Sequence, residues 1–443
     1  MVSAKFLGPL RAAAALISVA TGVGALAADF PPLALVDSIR ISGVDVALKS
    51  PPPHFVVRGA LGLLTHESLD GQIVHRATGP DMIFETRATI TPNGDYLLMF
   101  PEGQHYSHSK KGEKVNRLLA YRSSDRGRTW QGPTEPFGID YSQHGFIPLV
   151  PRGTKRLYAF GTQPIAGAYN AEHGQQENTP IGFRWSDDDG RTWSAVTLIR
   201  PLNDPDFKGM SVMRMTETES GVWLLGSHNS DFSQRPLVTR QYLLRSADRG
   251  KTWTVAPDRQ PNGWFAAGFG RMDEGRPISL GGTKVFFMAR TTQGHLFTAW
   301  SDDDGRTWTP PAPSPLVHPD APPMLFLLSD GKTLVAFHHN RVPAHEDGNL
   351  STKSENMTVR SEIWVSTSTD GGHTWTEPRF LLVNVVTPDL ESPFRNYQCS
   401  YLDVLVEAGT LHLFMPHRWQ QALHFTLPEA ALAKLPTRAQ LAR

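Results

Sequence analysis

The octapeptide SDDDGRTW stands unchanged at two places, beginning at Ser186 and at Ser301. Three looser copies, SSDRGRTW, SADRGKTW and STDGGHTW, begin at Ser123, Ser246 and Ser368. The shared pattern is S-x-D-x-G-x-T-W, with starts 63, 60, 55 and 67 residues apart. Recurrence at this spacing confines the chain to a repeat architecture, in which each unit buries its faces only against its neighbours. Strand-like runs precede the octapeptides (RLLAYRS, PIGFRWS, QYLLRS, HLFTAWS, EIWVSTS), and alternating apolar stretches such as GVWLLGSH, TKVFFMAR and KTLVAFHHN lie between them. With no long segment of helical period before the C-terminus, the chain reads as all-β. A unit of this length holds about four short strands and their links, the size of one propeller blade. The 347 residues from Asp81 to Leu427 make between five and six such units. The expected fold is therefore a six-bladed β-propeller, whose terminal strands close the ring where the octapeptide is missing.

The octapeptide is expected to be frame rather than chemistry. Ser and Asp side chains accept hydrogen bonds from turn N–H groups, and Gly supplies the positive-φ position. Thr begins the returning strand, and Trp covers the hairpin base with a large ring. Asp125, Asp188, Asp248, Asp303 and Asp370 are thus five equivalent turn staples.

The first 27 residues carry Lys5 and Arg11, an Ala-rich apolar stretch from Ala12, and Ala25-Leu26-Ala27. This is the pattern of a cleaved signal peptide, with cleavage near Ala27, and it implies a secreted or periplasmic protein. The sequence then divides into a lead-in segment, 28–80, with strands in LVDSIRIS and GQIVHR, the propeller, 81–427, and a tail, 428–443. No later stretch is long and apolar enough to span a membrane. Lys and Arg number 43 and so do Asp and Glu, so loss of residues 1–27 takes the formal charge from 0 to −2. A near-neutral chain without a basic run is not built for nucleic acid or an anionic membrane. Its single cysteine, Cys399, excludes an intrachain disulfide and a thiol-rich zinc site, leaving the fold to its core.

The S-x-D-x-G-x-T-W pattern is that of the Asp-box, or bacterial neuraminidase repeat, and the chain resembles the sialidase-like six-bladed propellers. That resemblance implies a retaining exo-α-sialidase. Three arginines would hold the substrate carboxylate, a tyrosine activated by a glutamate would be the nucleophile, and an aspartate would be the acid/base. The cast suits the chemistry: planar guanidiniums clamp a carboxylate bidentately. A carboxylate nucleophile would be repelled by that same group, and tyrosine is the sialidase exception to the two-carboxylate scheme.

The resemblance places the first arginine at Arg87 in FETRATITPNGDYLLMFPEG. The second falls at Arg290 in MDEGRPISLGGTKVFFMARTT, with the activating Glu274 sixteen residues earlier. The third falls at Arg360 in VRSEIWVSTSTDGG, eight residues ahead of Ser368. The nucleophile maps onto FRNYQCSYLDVLV, where Tyr401 is the first choice and Tyr397 the second. The acid/base is the departure, because PEGQHYSHSKKGEKVNRLLAYRSS contains no aspartate. Glu113 is the substitute in range, with Glu102, His105 and His108 as alternatives; a glutamate reaches further and a histidine can donate near neutral pH. No cofactor and no metal are expected. The implied partner is a carbohydrate carrying a carboxylate.

Two other functions fit the same residues. One is a propeller lyase or hydrolase on uronate-containing polysaccharide, which would move protons through Tyr and His. Its candidates are His144, His228, His338, His339 and His417, and it needs two or three of them facing the central channel. The other is a non-catalytic glycan-binding propeller, which would gain little from a Glu274 carboxylate beside an anionic ligand.

Overall fold

The structure, a computed structural model, describes residues 33–78, 81–103, 116–139, 144–162, 178–231, 233–234, 237–257, 263–266, 271–342, 359–387 and 398–442. Six blades follow in chain order, nearly all β, as the repeat implies. Blade 1 runs Arg87–Ile90, Tyr96–Gly103, Asn116–Ser123 and Gln131–Thr134 from the axis outward, with Met82–Ile83 also on its second strand. Blade 2 is Ile147–Leu149, Leu157–Thr162, Ile181–Ser186 and Thr197–Leu198. Blade 3 is Ser211–Glu217, Trp223–Asp231, Val238–Ser246 and Thr254–Ala256. Blade 4 is Met272–Gly281, Lys284–Thr291, His295–Ser301 and Ala312–Val317. Blade 5 comprises Met324–Leu327, Leu334–His338, Glu362–Ser368 and Arg379–Asn384, and Leu63–His66 and Phe55–Arg58 extend it. Blade 6 has Asp403–Glu407, Thr410–His417 and Gln421–Pro428, and its outer strand is Asp70–Arg76. The ring thus closes by pairing Asp70–Arg76 with Gln421–Pro428, a strand drawn from ahead of Asp81. This is the blade without an Asp-box, because its third and fourth strands come from opposite ends of the chain and need no hairpin.

Burial follows position in the blade. The second strand of blade 1, YLLMFPEG, is buried at every residue, whereas its outer strand QGPT is exposed throughout. A strand covered on both faces reads as a continuous apolar run. The core accordingly lies between blades as separate clusters. Leu97 and Met99 of blade 1 meet Leu157 and Ala159 of blade 2, and Phe326 and Phe337 of blade 5 meet Leu411 and Leu413 of blade 6. The tail forms short helical turns, Glu429–Lys434 and Arg438–Leu441, and its Ala431, Leu432 and Leu435 are buried against blades 5 and 6. No helix among the described residues is long and apolar enough to cross a membrane.

Each Asp-box joins the third and fourth strands of its blade and works as the residue types dictate. In the second box, Ser186 Oγ accepts from Gly190 N at 2.7 Å and donates to Asp188 Oδ1 at 2.7 Å. The Thr192 main-chain N and hydroxyl then donate to Asp188 at 2.8 and 2.6 Å. The other four boxes repeat these contacts. Asp189 and Gly190, at φ 62 and 81°, form the tight left-handed turn the pattern needs. Four box tryptophans donate Nε1 to the box Gly carbonyl, while Trp130 lies edge-on to Phe414 and His424 of blade 6.

Register places the boxes away from the remaining candidates. Ser123 pairs with Tyr96, Ser301 with Val285 and Ser368 with Leu334. Arg87, Arg290 and Arg360 stand three, five and eight residues along the strand direction from those positions, about 10, 17 and 26 Å at some 3.3 Å per strand residue. The blades also approach unusually closely there. A Cβ on Gly226 of blade 3 would lie 1.9 Å from the carbonyl oxygen of Gly275 in blade 4. Main chain cannot yield as a side chain can, so Gly226→Ala is expected to destabilise by about 1–3 kcal/mol or more. A denaturation midpoint unchanged from wild type would contradict that close contact.

Candidate active site

Glu274 is aimed by a local irregularity of the innermost strand of blade 4. The ladder between Met272–Gly281 and Lys284–Thr291 slips between Asp273 and Arg276, and Glu274 sits at φ 50° within this bulge. A bulge puts an extra residue into one strand and redirects its side chain. Gly275 permits it, since a Cβ there would strike the Phe287 ring at 2.2 Å, and its N–H is held by Gln241 Oε1 at 2.7 Å. Tyr401, at φ 61°, and Glu85, at φ 31°, are also left-handed non-glycine residues. Such conformations cost about 1–3 kcal/mol each and gather where a structure holds side chains for a purpose.

These three residues belong to one network. Tyr401 Oη donates to Glu274 Oε1 at 3.1 Å, and Arg290 Nη1 donates to Glu274 Oε2 at 2.6 Å. Arg290 Nε reaches Asp320 Oδ1 at 2.6 Å, and Arg271 bridges Asp273 and Asp320 at 2.5 and 3.4 Å. Arg360 donates Nη2 to the Asp320 main-chain carbonyl, and its buried Nε has no partner among the described residues. Arg87 donates to Glu85 Oε2 at 2.8 Å, while Glu85 Oε1 lies 2.9 Å from His144 Nδ1. Glu85, His144 and Glu274 offer polar atoms within 4.8 Å of one another, which joins the Arg87 end to the Tyr401 end.

Electrostatics follow from burial and from these pairings. Burial raises the Glu274 carboxyl, but Arg290, Arg271 and the nearby histidines outweigh it and hold the group below its ordinary range. Asp320 is lowered in the same way by Arg271 and Arg290. Such carboxylates stabilise the fold above their unfolded pKa, about 4, and that contribution disappears as pH falls through the lower folded value. Burial, then the Glu274 charge, push the Tyr401 phenol well above its ordinary value. Burial takes His228, whose Nδ1 faces Glu274 N at 3.4 Å, down to about 4.

The structure therefore brings together five of the six residues singled out from sequence, namely Arg87, Arg290, Arg360, Glu274 and Tyr401. The sixth, Glu113, lies outside the described residues, as do Tyr397, His105 and His108. Glu102 is engaged elsewhere, paired to Arg117 and 2.6 Å from His75. Of the five other histidines, His144 and His228 face the network, their rings 6.5 Å apart. His338 and His339 are bonded to main-chain carbonyls, and His417 to Asn384. A metal is a poor fit at Glu85, His144 and Glu274, because Arg87 and Arg290 already neutralise the carboxylates.

Sequence reading missed Glu85, Asp320, Arg271 and two axial arginines. Arg214 and Arg276, on the innermost strands of blades 3 and 4, both lie over the Phe326 ring of blade 5, at 5.0 and 5.7 Å. Their signal was available, an arginine inside the apolar strands SVMRMTE and GRPISLG. Burial drives Arg276 down to about 9, with Arg87 and Arg214 adding repulsion. Asp403, and after it Glu85, oppose that repulsion at Arg276.

A six-bladed propeller with Asp-box hairpins and a buried arginine–carboxylate–tyrosine centre on the opposite face is the architecture of the sialidase class. Residues 149–413, well over half of the chain, match the BNR repeat-like domain, and the chain belongs to that family. It is 26% identical over 244 residues to a sialidase of Micromonospora viridifaciens, covering 50% of this chain and 35% of that protein. It is 25% identical over 285 residues to a xyloglucanase of a Paenibacillus species, covering 61% and 24%. The chain thus spans about a third or less of the length of these curated relatives. Among solved structures, the NanB sialidase of Streptococcus pneumoniae superposes with a TM-score of 0.57 at 12% identity, over 82% of this chain and 71% of that one. A leech intramolecular trans-sialidase does so with 0.54 at 14% identity, over 84% and 71%.

Proposed function

We propose that the protein is a sialidase-type glycoside hydrolase that removes a terminal acidic sugar, with Tyr401 as nucleophile and retention of configuration. The observation that carries this reading is the Tyr401–Glu274 hydrogen bond of 3.1 Å beside Arg290 and Arg360. Arg360, whose buried Nε–H has no partner among the described residues, is the anchor for the substrate carboxylate, and Arg290 and Arg87 complete the clamp. Binding also prepares the base. In the free protein Arg290 is shared by Glu274 and Asp320, which keeps Glu274 a weak base. A substrate carboxylate competing for that guanidinium returns basicity to Glu274 as the phenol needs to lose its proton. The phenoxide then attacks the anomeric carbon, and water later releases the sugar.

A second reading, a uronate lyase, gains from His144 and His228 standing at the same centre. One paired assay separates the two. The protein is incubated with a fluorogenic α-sialoside and, separately, with uronate polymers under detection of unsaturated product. Release of sialic acid supports the hydrolase; an unsaturated uronate with no sialic acid overturns it. Silence in both leaves glycan binding, a third function named from the sequence.

A further inference from the structure

The stretch in which the sialidase resemblance asks for an acid contains no aspartate, yet the described site holds an oriented proton carrier. We propose that His144, positioned by Glu85, is the acid that protonates the leaving oxygen and the base that later activates water. The proposal rests on the sialidase-type reading above.

Three observations carry it. First, His144 and Glu85 enter the centre from neighbouring blades, each just ahead of its innermost strand. Their approach is built into the chain: a Cβ at Gly145 would lie 2.4 Å from the Glu85 carbonyl oxygen and 3.0 Å from Arg87 Cγ. Second, the Glu85 carboxylate is held at both oxygens. Oε2 accepts from Arg87 Nη2 at 2.8 Å and from Gly145 N at 3.0 Å, and Oε1 faces His144 Nδ1 at 2.9 Å. An ionised carboxylate can only accept, so Nδ1 carries a hydrogen and the second ring nitrogen is left to exchange one. Third, that second nitrogen, Nε2, is buried and has no partner among the described residues. Buried polar groups are as a rule hydrogen-bonded, and His338 is satisfied at both nitrogens, by Val317 O and Ser366. Of the two histidines with an unpartnered Nε2 among the described residues, His339 rests its Nδ1 on the Glu362 main-chain carbonyl, whereas His144 rests it on a carboxylate, beside Glu274.

The charged and titratable groups facing His144 among the described residues are Glu85, Arg87, Glu274 and His228. Burial keeps His228 neutral, so it does not compete for the proton. The protons balance over the cycle. In the first step the Tyr401 oxygen bonds the anomeric carbon and passes its proton to Glu274, while the glycosidic bond breaks and His144 Nε2 protonates the departing oxygen. In the second, water bonds the anomeric carbon as the bond from that carbon to the Tyr401 oxygen breaks, the water proton goes to Nε2, and Glu274 returns its proton to the released Tyr401 oxygen. Glu85 touches no reacting atom and is a positioning residue.

The test compares leaving groups in the full-length protein. His144→Gln is expected to lower turnover of a sialyl-alkyl glycoside about 10²–10⁴-fold, the range for losing a general acid. On a nitrophenyl sialoside, whose leaving group departs without a proton, the formation of sialyl-enzyme is expected to stay within tenfold of wild type by burst kinetics. Glu85→Gln keeps the ring in place and removes its counter-charge. It is expected to move the basic limb of the kcat/KM profile to lower pH by about one unit. Equal loss on both glycosides, or undiminished turnover of the alkyl glycoside, overturns the role of His144 while leaving the hydrolase reading intact. A wild-type protein inactive on both glycosides overturns that reading and the His144 role with it. Should His144→Gln not fold, the Glu85→Gln profile decides, and an unmoved basic limb counts against the proposal.

Discussion

Tyr401→Phe should reduce sialoside turnover by about 10³-fold or more, the scale on which removal of a nucleophile lowers catalysis. The substitution takes away one oxygen, and that oxygen is the one bonded to Glu274. Arg290 and Arg360 are untouched, so affinity for a carboxylate-bearing inhibitor should stay within a few-fold of wild type. The effect then falls on kcat rather than on binding, which separates loss of chemistry from loss of the site. A fluorinated sialosyl donor that forms a slowly released adduct should label wild type at Tyr401 and leave Tyr401→Phe unlabelled. The nucleophile assignment fails if the variant keeps a tenth of wild-type activity or if the label is found on another residue.

Arg290→Met is expected to have the largest effect on stability. Arg290 is 4% exposed and lies between two buried carboxylates, Glu274 and Asp320, at 2.6 Å from each. Removing one member of a buried ionic network costs about 3–5 kcal/mol, because it leaves charge without compensation. The sign of the pH dependence is fixed by the same pairing. Wild-type Glu274 and Asp320 are held below their ordinary range, so their contribution is full at neutral pH and lost as pH falls. Without Arg290 the two carboxyls take up protons more readily on acidification. The deficit of the variant should therefore be greatest near neutrality and narrow below about pH 4. Denaturation midpoints at neutral and acidic pH measure it, and a deficit that grows on acidification would contradict the network. Adding Asp320→Asn to Arg290→Met should recover part of the loss, since it removes one uncompensated charge.

Both experiments bear on residues whose legibility in the sequence differs. Glu274 and Arg290 are picked out by the sialidase resemblance, whose sixteen-residue separation they match in a blade whose register an Asp-box fixes. A strand, a hairpin and a return strand hold such a pair at a set distance whatever the rest of the ring does. Asp320 and Glu85 carry no such spacing. Each sits on a connection, and its importance arises from a residue in another blade or on another strand. His144 was visible as a candidate, but the distinction between it and His338 was not, because both precede or end ordinary apolar strands. What separates them is that Nε2 is bonded to Ser366 in His338 and has no partner among the described residues in His144, and that is a matter of neighbours.

The sequence by itself determined the repeat and the all-β class, and bounded the blade count at five to six. It did so because strand period and turn chemistry are local: Ser, Asp and Gly of the box meet their partners within a few residues. It also marked where the arginines enter. Tertiary structure alone decided that the ring closes on Asp70–Arg76 and that a bulge turns Glu274 toward Tyr401, 127 residues away in sequence. It likewise decided that Glu85 and His144 share the same centre. Those facts depend on bringing distant blades around one axis, where burial multiplies the worth of every charge and hydrogen bond. Local pattern builds the blades, and closure of the ring makes the site.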